Sequence, residues 1–264
     1  MPLPLPLQIA RSALSRPPRT RYGPDPDQVA DLHLPAGPGP HPVAVVLHGG
    51  HWQQRYGRLV CRPMSRALAA RGIAAWNLEY RRLGGGGGWP ATFEDVADGI
   101  DRLADVRRAR LDLRRVAVVG HSAGGQLALW AAGRARLPAG AVGATPRVPV
   151  ACVVALAPVT ALRRAGRHAV ELVGGLPDAH PDRWAQADPL AAAPPPVPAL
   201  VVHPADDRTV PVARSVEYAA RCVSAGGQVE LVTPPGESHR DAIDPASASW
   251  AAAAGWLHER LSAP

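Results

Sequence analysis

Apolar positions in this chain fall into short unbroken runs, separated by stretches of helical periodicity. Val43-Ala-Val-Val-Leu47, Ala74 to Tyr80, Val116 to Val119, Val150 to Leu156, Pro195 to His203 and Gln228 to Val232 read as strands. Runs this continuous mark strands covered on both faces rather than strands with one wet side. Gln28 to Leu34 alternates enough for a first, edge strand. Thr92 to Leu103 reads as a helix: Val96, Ile100 and Leu103 share one stripe, and Thr92 with Asp95 suits its start. Cys61 to Arg71 reads as a helix that ends at Gly72, and Gln126 to Ala132, Pro211 to Ser224 and Ala246 to Leu261 read as further helices. The order β-β-α-β-α-β-α-β-insertion-β-α-β-α predicts an α/β fold, a mostly parallel sheet with helices on both faces. Reactive groups then belong along the C-terminal edge of that sheet.

Three segments interrupt the pattern. Residues 1–21 are rich in Pro and Arg and are expected to be disordered, which leaves 22–264 as a single domain. Residues 160–188 hold a short helix around Ala169 to Leu172 and a loop with Pro and Trp, expected to be a small lid. Gly84 to Gly88 are five consecutive glycines ahead of Trp89-Pro90, expected to form a flexible loop at the mouth of the site.

The strand Val116 to Val119 leads into Gly120-His121-Ser122-Ala123-Gly124 and then a helix. This G-x-S-x-G spacing has a mechanical reason. A serine on a very sharp strand-to-helix turn stands clear of the sheet, and the residues two before and two after it come too close for a β-carbon. The helix N-terminus points its amides at the same spot. Ser122 is therefore the candidate nucleophile. An acid and then a base are expected downstream. Asp206 and Asp207 follow the strand that ends at His203, and both are candidates for the acid. His239 lies on the loop between the last strand and the final helix and is the candidate base. His33, His41, His168, His180 and His258 are expected to be solvated. Upstream, His48-Gly49-Gly50-His51 follows a buried strand. Backbone amides of Gly50 or His51, together with that of Ala123, are the expected oxyanion hole. Trp52 and Trp89 are candidates to line an aromatic-tolerant pocket.

With these residues in place, the chain resembles the α/β-hydrolase superfamily. Within it the likeness is to kynurenine formamidases (arylformamidases) and to esterases related to hormone-sensitive lipase. The matching residues are His48-Gly49-Gly50-His51-Trp52-Gln53, Tyr80-Arg81, Gly120 to Gly125, His203 through Asp207 to Val210-Pro211, and Gly236 through His239 to Asp244-Pro245. His51 departs from the Tyr or Phe usual in the formamidases, and Pro204 replaces a usual Gly. Alignment on Val210-Pro211 implies Asp207 rather than Asp206 as the acid. The resemblance implies a carboxylesterase or arylformamidase acting on a small, perhaps aromatic, ester or amide through a Ser122–His239–Asp207 triad, with no metal and no cofactor. Two rival readings are a peptidase of the prolyl-oligopeptidase type and a non-catalytic binding protein of the same fold. The length of 264 residues counts against the first, and the filled catalytic positions count against the second.

Charge changes this picture little. The formal net charge is +7, and all 29 basic residues are arginine. They are scattered, with the densest group at Arg107, Arg108, Arg110, Arg114 and Arg115 and no interleaved aromatic residues, so nucleic acid is not an expected partner. Cys61, Cys152 and Cys222 are widely spaced in apolar segments and are expected to be buried free thiols. No run is long enough for a membrane span, and the prolines of the first seven residues break any secretory h-region. The expected setting is cytoplasmic, with a small-molecule substrate, no membrane partner and an open oligomeric state.

Overall fold

The computed structural model describes residues 3–106 and 110–262. Arg107 and Arg108 of the arginine group lie outside the described residues, while Arg114 and Arg115 both pair with Asp112. The chain begins with helix α1 (Leu5–Ala13), strand β1 (Arg19–Arg21), β2 (Val29–His33) and β3 (His41–Leu47). Helix α2 (Arg62–Ala70), β4 (Ala74–Leu78), α3 (Ala91–Asp101), β5 (Leu111–His121) and α4 (Ala123–Gly133) follow. The second half runs β6 (Cys152–Leu156), α5 (Arg167–Val173), α6 (Pro181–Ala187), β7 (Ala199–Val202), α7 (Val212–Ser224), β8 (Val229–Val232) and α8 (Ala248–Ser262).

The eight strands form one sheet in the order β1-β2-β4-β3-β5-β6-β7-β8. From β4 to β8 every pairing is parallel, while β1 and β2 are antiparallel to their neighbours. Alternate side chains of each central strand enter two separate cores. Val43, Val45, Leu47, Val116, Val118, Val153 and Val201 face one, with α3, α4 and α7 over them. Ala44, Val46, Ala117, Val119, Val154 and Val202 face the other, under α1, α2 and α8. This strict period of two, apolar on both sides, is why the strands read as continuous apolar runs.

The N-terminal segment departs from expectation. It is not disordered: α1 packs on α2, and β1 pairs with β2, so β2 is an interior strand rather than the edge. Pro4 and Pro6 fall at the helix start, where a missing N–H breaks no intrahelical bond. Leu5 is buried in the second core and Ile9 packs against it. Arg62 is buried and donates to the carbonyls of Ser12 and Ser15 at 3.0 and 3.1 Å, and its other nitrogen donates to Asp31 at 2.8 Å. Asp31 is fully buried and also accepts from Arg19 and Arg58. Burial opposes its charge, but the three guanidinium groups outweigh that and hold its carboxyl below the usual range.

Three more expectations are revised. Thr92 and Asp95 do not cap α3. The Thr92 hydroxyl donates to the Arg81 carbonyl and accepts from the Gly88 amide, and Asp95 binds Arg81 and Gln28. The glycine run is a packed turn: Gly85 and Gly87 amides bond back to the Arg82 carbonyl, and a β-carbon on Gly87 would lie 2.4 Å from backbone. His33 is buried, not solvated, and its imidazole is pushed down to about 4 by burial.

Asp31→Ala would strand the buried Arg62 and free the end of α1. Its unfolding free energy, from urea titration, is expected to fall by about 3–5 kcal/mol. A loss below about 1 kcal/mol would show that the cluster is not a structural anchor.

Candidate active site

The turn between β5 and α4 carries Ser122 at φ 56° and ψ −117°, a region that a residue with a side chain enters only under constraint. The constraint comes from three sides. The Ser122 amide donates to the Leu156 carbonyl at the end of β6, and the Ser122 carbonyl accepts from Gly125 and Gln126. A β-carbon on Gly120 would lie 2.0 Å from the Gly124 carbonyl oxygen, and one on Gly124 would lie 2.2 Å from that of Leu47. Neither position has room for any other residue. Ala123 begins α4, so its amide belongs to the first turn, whose amides have no intrahelical acceptor.

Asp207 follows β7 and His239 follows β8, both at the C-terminal edge. His239 Nδ1 donates to Asp207 Oδ2 at 2.6 Å, which leaves Nε2 as the acceptor in the neutral ring. The same carboxylate is held from elsewhere. Its Oδ1 accepts from the amides of Thr209 and Val210 at 2.7 and 2.9 Å. His203 is fully buried; its Nε2 faces Asp207 Oδ2 at 3.1 Å and the Val210 carbonyl at 2.9 Å. Nε2 thus faces two acceptors and is the donor, and Nδ1 lies 2.7 Å from the Ser215 hydroxyl, which can donate to it. Burial opposes ionisation of Asp207, but the bonds from His203, His239 and Val210 prevail and hold its carboxyl well below the usual range. Asp206 is exposed, yet it accepts from the Gly236 amide at 2.8 Å and so ties down the loop that carries His239. The sequence showed His203 as a strand terminus and as the start of the motif that runs to Val210-Pro211, but not its buried contact with Asp207, which depends on where β7 and α7 meet.

The loop after β3 is held by a buried pair. His48 Nε2 lies 2.7 Å from Glu79 Oε1, and its Nδ1 lies 2.7 Å from the Gly49 carbonyl. Tyr80 stacks on the His48 ring and donates its hydroxyl to the His48 carbonyl. Because the Gly49 carbonyl points at His48, the Gly50 N–H of the same trans peptide points away from it. Gly50 and His51 both have positive φ, 120° and 55°. Burial works against the Glu79 charge, but His48 and Arg82 overcome it and bring the carboxyl down to about 2. His121 bonds the His239 carbonyl through Nε2 at 3.0 Å, and burial pushes its ring down to about 3. It is therefore neutral at pH 7, and it supports the His239 loop.

Ser122, His239, Gly49, Gly50 and His51 line one cavity of about 730 Å³. The two tryptophans assigned to its pocket are elsewhere. Trp52 is buried in the core, its indole donating to Gln126 at 3.1 Å. Trp89 packs on Phe93, with its amide bonded to Leu172. No residue of 160–188 or of the glycine run lines the cavity. The insertion instead buries Leu172 and Trp184 in the core and reaches the loop after β3 through His168, whose ring meets that of His51 at 5.8 Å. Its Pro- and Trp-bearing part is helix α6 rather than a loop. The cavity is lined instead by Pro4, Leu5, Pro6 and Ile9 of the N-terminal segment, among others. Among the described residues, no group of three or more His, Cys, Asp or Glu side chains is placed to hold a metal ion. None of their helices is long and apolar enough to cross a membrane. The three cysteines are buried and free.

Solved structures share this architecture. A truncated carbohydrate esterase from gut microbiota superposes with a TM-score of 0.80 at 18% identity, over 93% of this chain and 95% of its own. An esterase from the planctomycete Thermogutta terrifontis, bound to propionate, gives 0.75 at 22% identity over 93% of each chain. Esterase B from Lactobacillus rhamnosis gives 0.79 at 19% over 97% of this chain and 90% of its own. The protein thus has the α/β-hydrolase fold. Within that class, residues 30–221 match the BD-FAE family, and the chain belongs to it. No curated protein sequence matches the chain significantly.

The elbow glycines differ sharply from Gly133 at the other end of α4, where a β-carbon meets nothing within 4 Å. Gly124→Ala is expected to cost at least about 3 kcal/mol in urea unfolding. Gly133→Ala, with φ −83°, is expected to gain about 0.5–1 kcal/mol. Similar values for the two would mean that the turn is not jammed against β3.

Proposed function

We propose that this protein is a serine esterase that hydrolyses short-chain acyl esters through a covalent acyl-enzyme on Ser122. The observation that carries the reading is the strained Ser122 in one cavity with a His239 whose other nitrogen is held by Asp207 at 2.6 Å. In this reading the Ser122 hydroxyl attacks the ester carbonyl while its proton passes to His239 Nε2. Asp207 keeps the imidazole in the right tautomer and stabilises the imidazolium. The amide of Ala123 and that of Gly50 or His51 receive the developing oxyanion, each worth about 3 kcal/mol. The C–O bond to the alcohol breaks as His239 returns the proton to the leaving oxygen. Water, deprotonated by His239, then attacks the acyl-enzyme; the acid is released and Ser122 regains its proton.

The names of the structural neighbours support an ester of this kind. They include a carbohydrate esterase, an acetyl ester-xyloside hydrolase from Caldicellulosiruptor lactoaceticus, and the Thermogutta esterase with propionate or butyrate bound. Thr209, Arg240, Asp241 and Asp244 are polar residues of the cavity lining, which suits a hydroxylated alcohol such as a sugar. The narrower arylformamidase reading has less support, because Trp52 and Trp89 do not line the cavity.

Two kinetic outcomes test the assignment. On p-nitrophenyl acetate, Ser122→Ala is expected to lower kcat by about 10⁴-fold or more with its unfolding curve little changed. Retained activity would remove Ser122 from the mechanism. Asp207→Asn is expected to lose roughly 10⁴-fold, since an amide favours the wrong tautomer of His239. Asp206→Asn removes an exposed charge but keeps an oxygen that can accept from the Gly236 amide, and should lose at most about tenfold. The reverse ranking would exchange the roles of the two aspartates.

A further inference from the structure

The cavity wall supplied by α1 has no counterpart in the family match, which begins at residue 30. Leu5 and Ile9 are four apart and so share one helical face. Both line the cavity that holds Ser122 and His239, next to Val60 and Ile243. Leu5 is buried, and Ile9 packs on the same core as Ile243. The same cavity is also lined by the polar residues Thr209, Arg240, Asp241 and Asp244.

The wall is also fixed. Arg62 holds the C-terminal end of α1 through the Ser12 and Ser15 carbonyls. Gln8 Nε2 donates to Asp244 Oδ1 at 3.0 Å, only five residues beyond His239, and to the Leu3 carbonyl at 2.7 Å. A helix tied at its middle and its C-terminal end, with two branched aliphatic side chains lining the cavity, limits what fits there.

We propose that Leu5 and Ile9 form the acyl end wall of the site and set the longest acyl chain that it accepts. This rests on the serine esterase reading and adds its specificity determinant. The acyl group of the ester lies against Leu5, Ile9, Val60 and Ile243, and the alcohol lies toward the polar residues. Trimming the wall admits longer chains, and thickening it excludes all but the shortest.

The test measures kcat/KM for p-nitrophenyl acetate, butyrate and hexanoate, and for a matching series of ethyl, butyl and hexyl acetates, in wild type, Leu5→Ala, Ile9→Ala and Leu5→Phe. The hexanoate-to-acetate ratio is expected to rise about tenfold or more in the alanine variants, the scale of one or two methylenes in an apolar pocket. It is expected to fall in Leu5→Phe. Opposite shifts in two variants at one position cannot come from lost stability, which moves both substrates together. Unchanged ratios in an enzyme that still turns over acetate through Ser122 would overturn the wall and leave the esterase reading intact. A shift confined to the alkyl acetates would place the alcohol, not the acyl chain, against α1, and would also overturn the proposal. Absence of any Ser122-dependent turnover in wild type would remove both.

Discussion

The site depends on one steric constraint, the jamming of the β5–α4 turn against the ends of β3 and β6. Gly120 and Gly124 leave no space for a side chain, the Ser122 amide is tied to Leu156, and Ser122 itself is forced to φ 56°. Strain of this kind costs on the order of 1–3 kcal/mol and persists only where surrounding structure over-determines it. Here the over-determination comes from the central parallel strands, buried on both faces, whose two apolar cores fix the relative height of β3, β5 and β6. The sheet thereby carries Ser122, the loop after β3 and the loops after β7 and β8 to a single edge.

Electrostatic arrangements complete what the sheet begins. Asp207 accepts from two backbone amides and lies against two histidines, so its orientation is fixed before any ligand arrives. His48 and Glu79 do the equivalent work for the loop after β3: the pair sets the Gly49 carbonyl, and the trans peptide then sets the Gly50 amide. These groups are buried and bonded. Polar groups fixed in advance need no reorganisation when charge develops, which is the condition for strong stabilisation of an oxyanion.

What was legible in the sequence was local or tied to a steric rule. The parallel strands were readable because burial on both faces leaves continuous apolar runs, and the elbow because two glycines flank a serine at fixed spacing. Distances across the fold were not readable. Trp52 follows the loop after β3 closely, yet its ring turns into the core to meet Gln126. The glycine run looked free because it has no side chains, but its backbone folds onto Arg82. The N-terminal helix was the largest omission. Its prolines and arginines resemble a loose tail, and the helix forms because Leu5, Gln8 and Arg62 find partners far away in sequence. Likewise, residues 160–188 contribute buried core residues rather than a cavity wall, and residues of α1 line the cavity instead.

The central claim is that this fold activates one serine. The most direct measurement is labelling of native protein with a fluorophosphonate, followed by peptide mapping by mass spectrometry. The account predicts one adduct, on Ser122, formed in the native protein and absent after prior unfolding in urea, because the reactivity belongs to the assembled turn, base and amides rather than to serine chemistry. Labelling at another residue, or equal labelling of Ser122 in the unfolded chain, would contradict it.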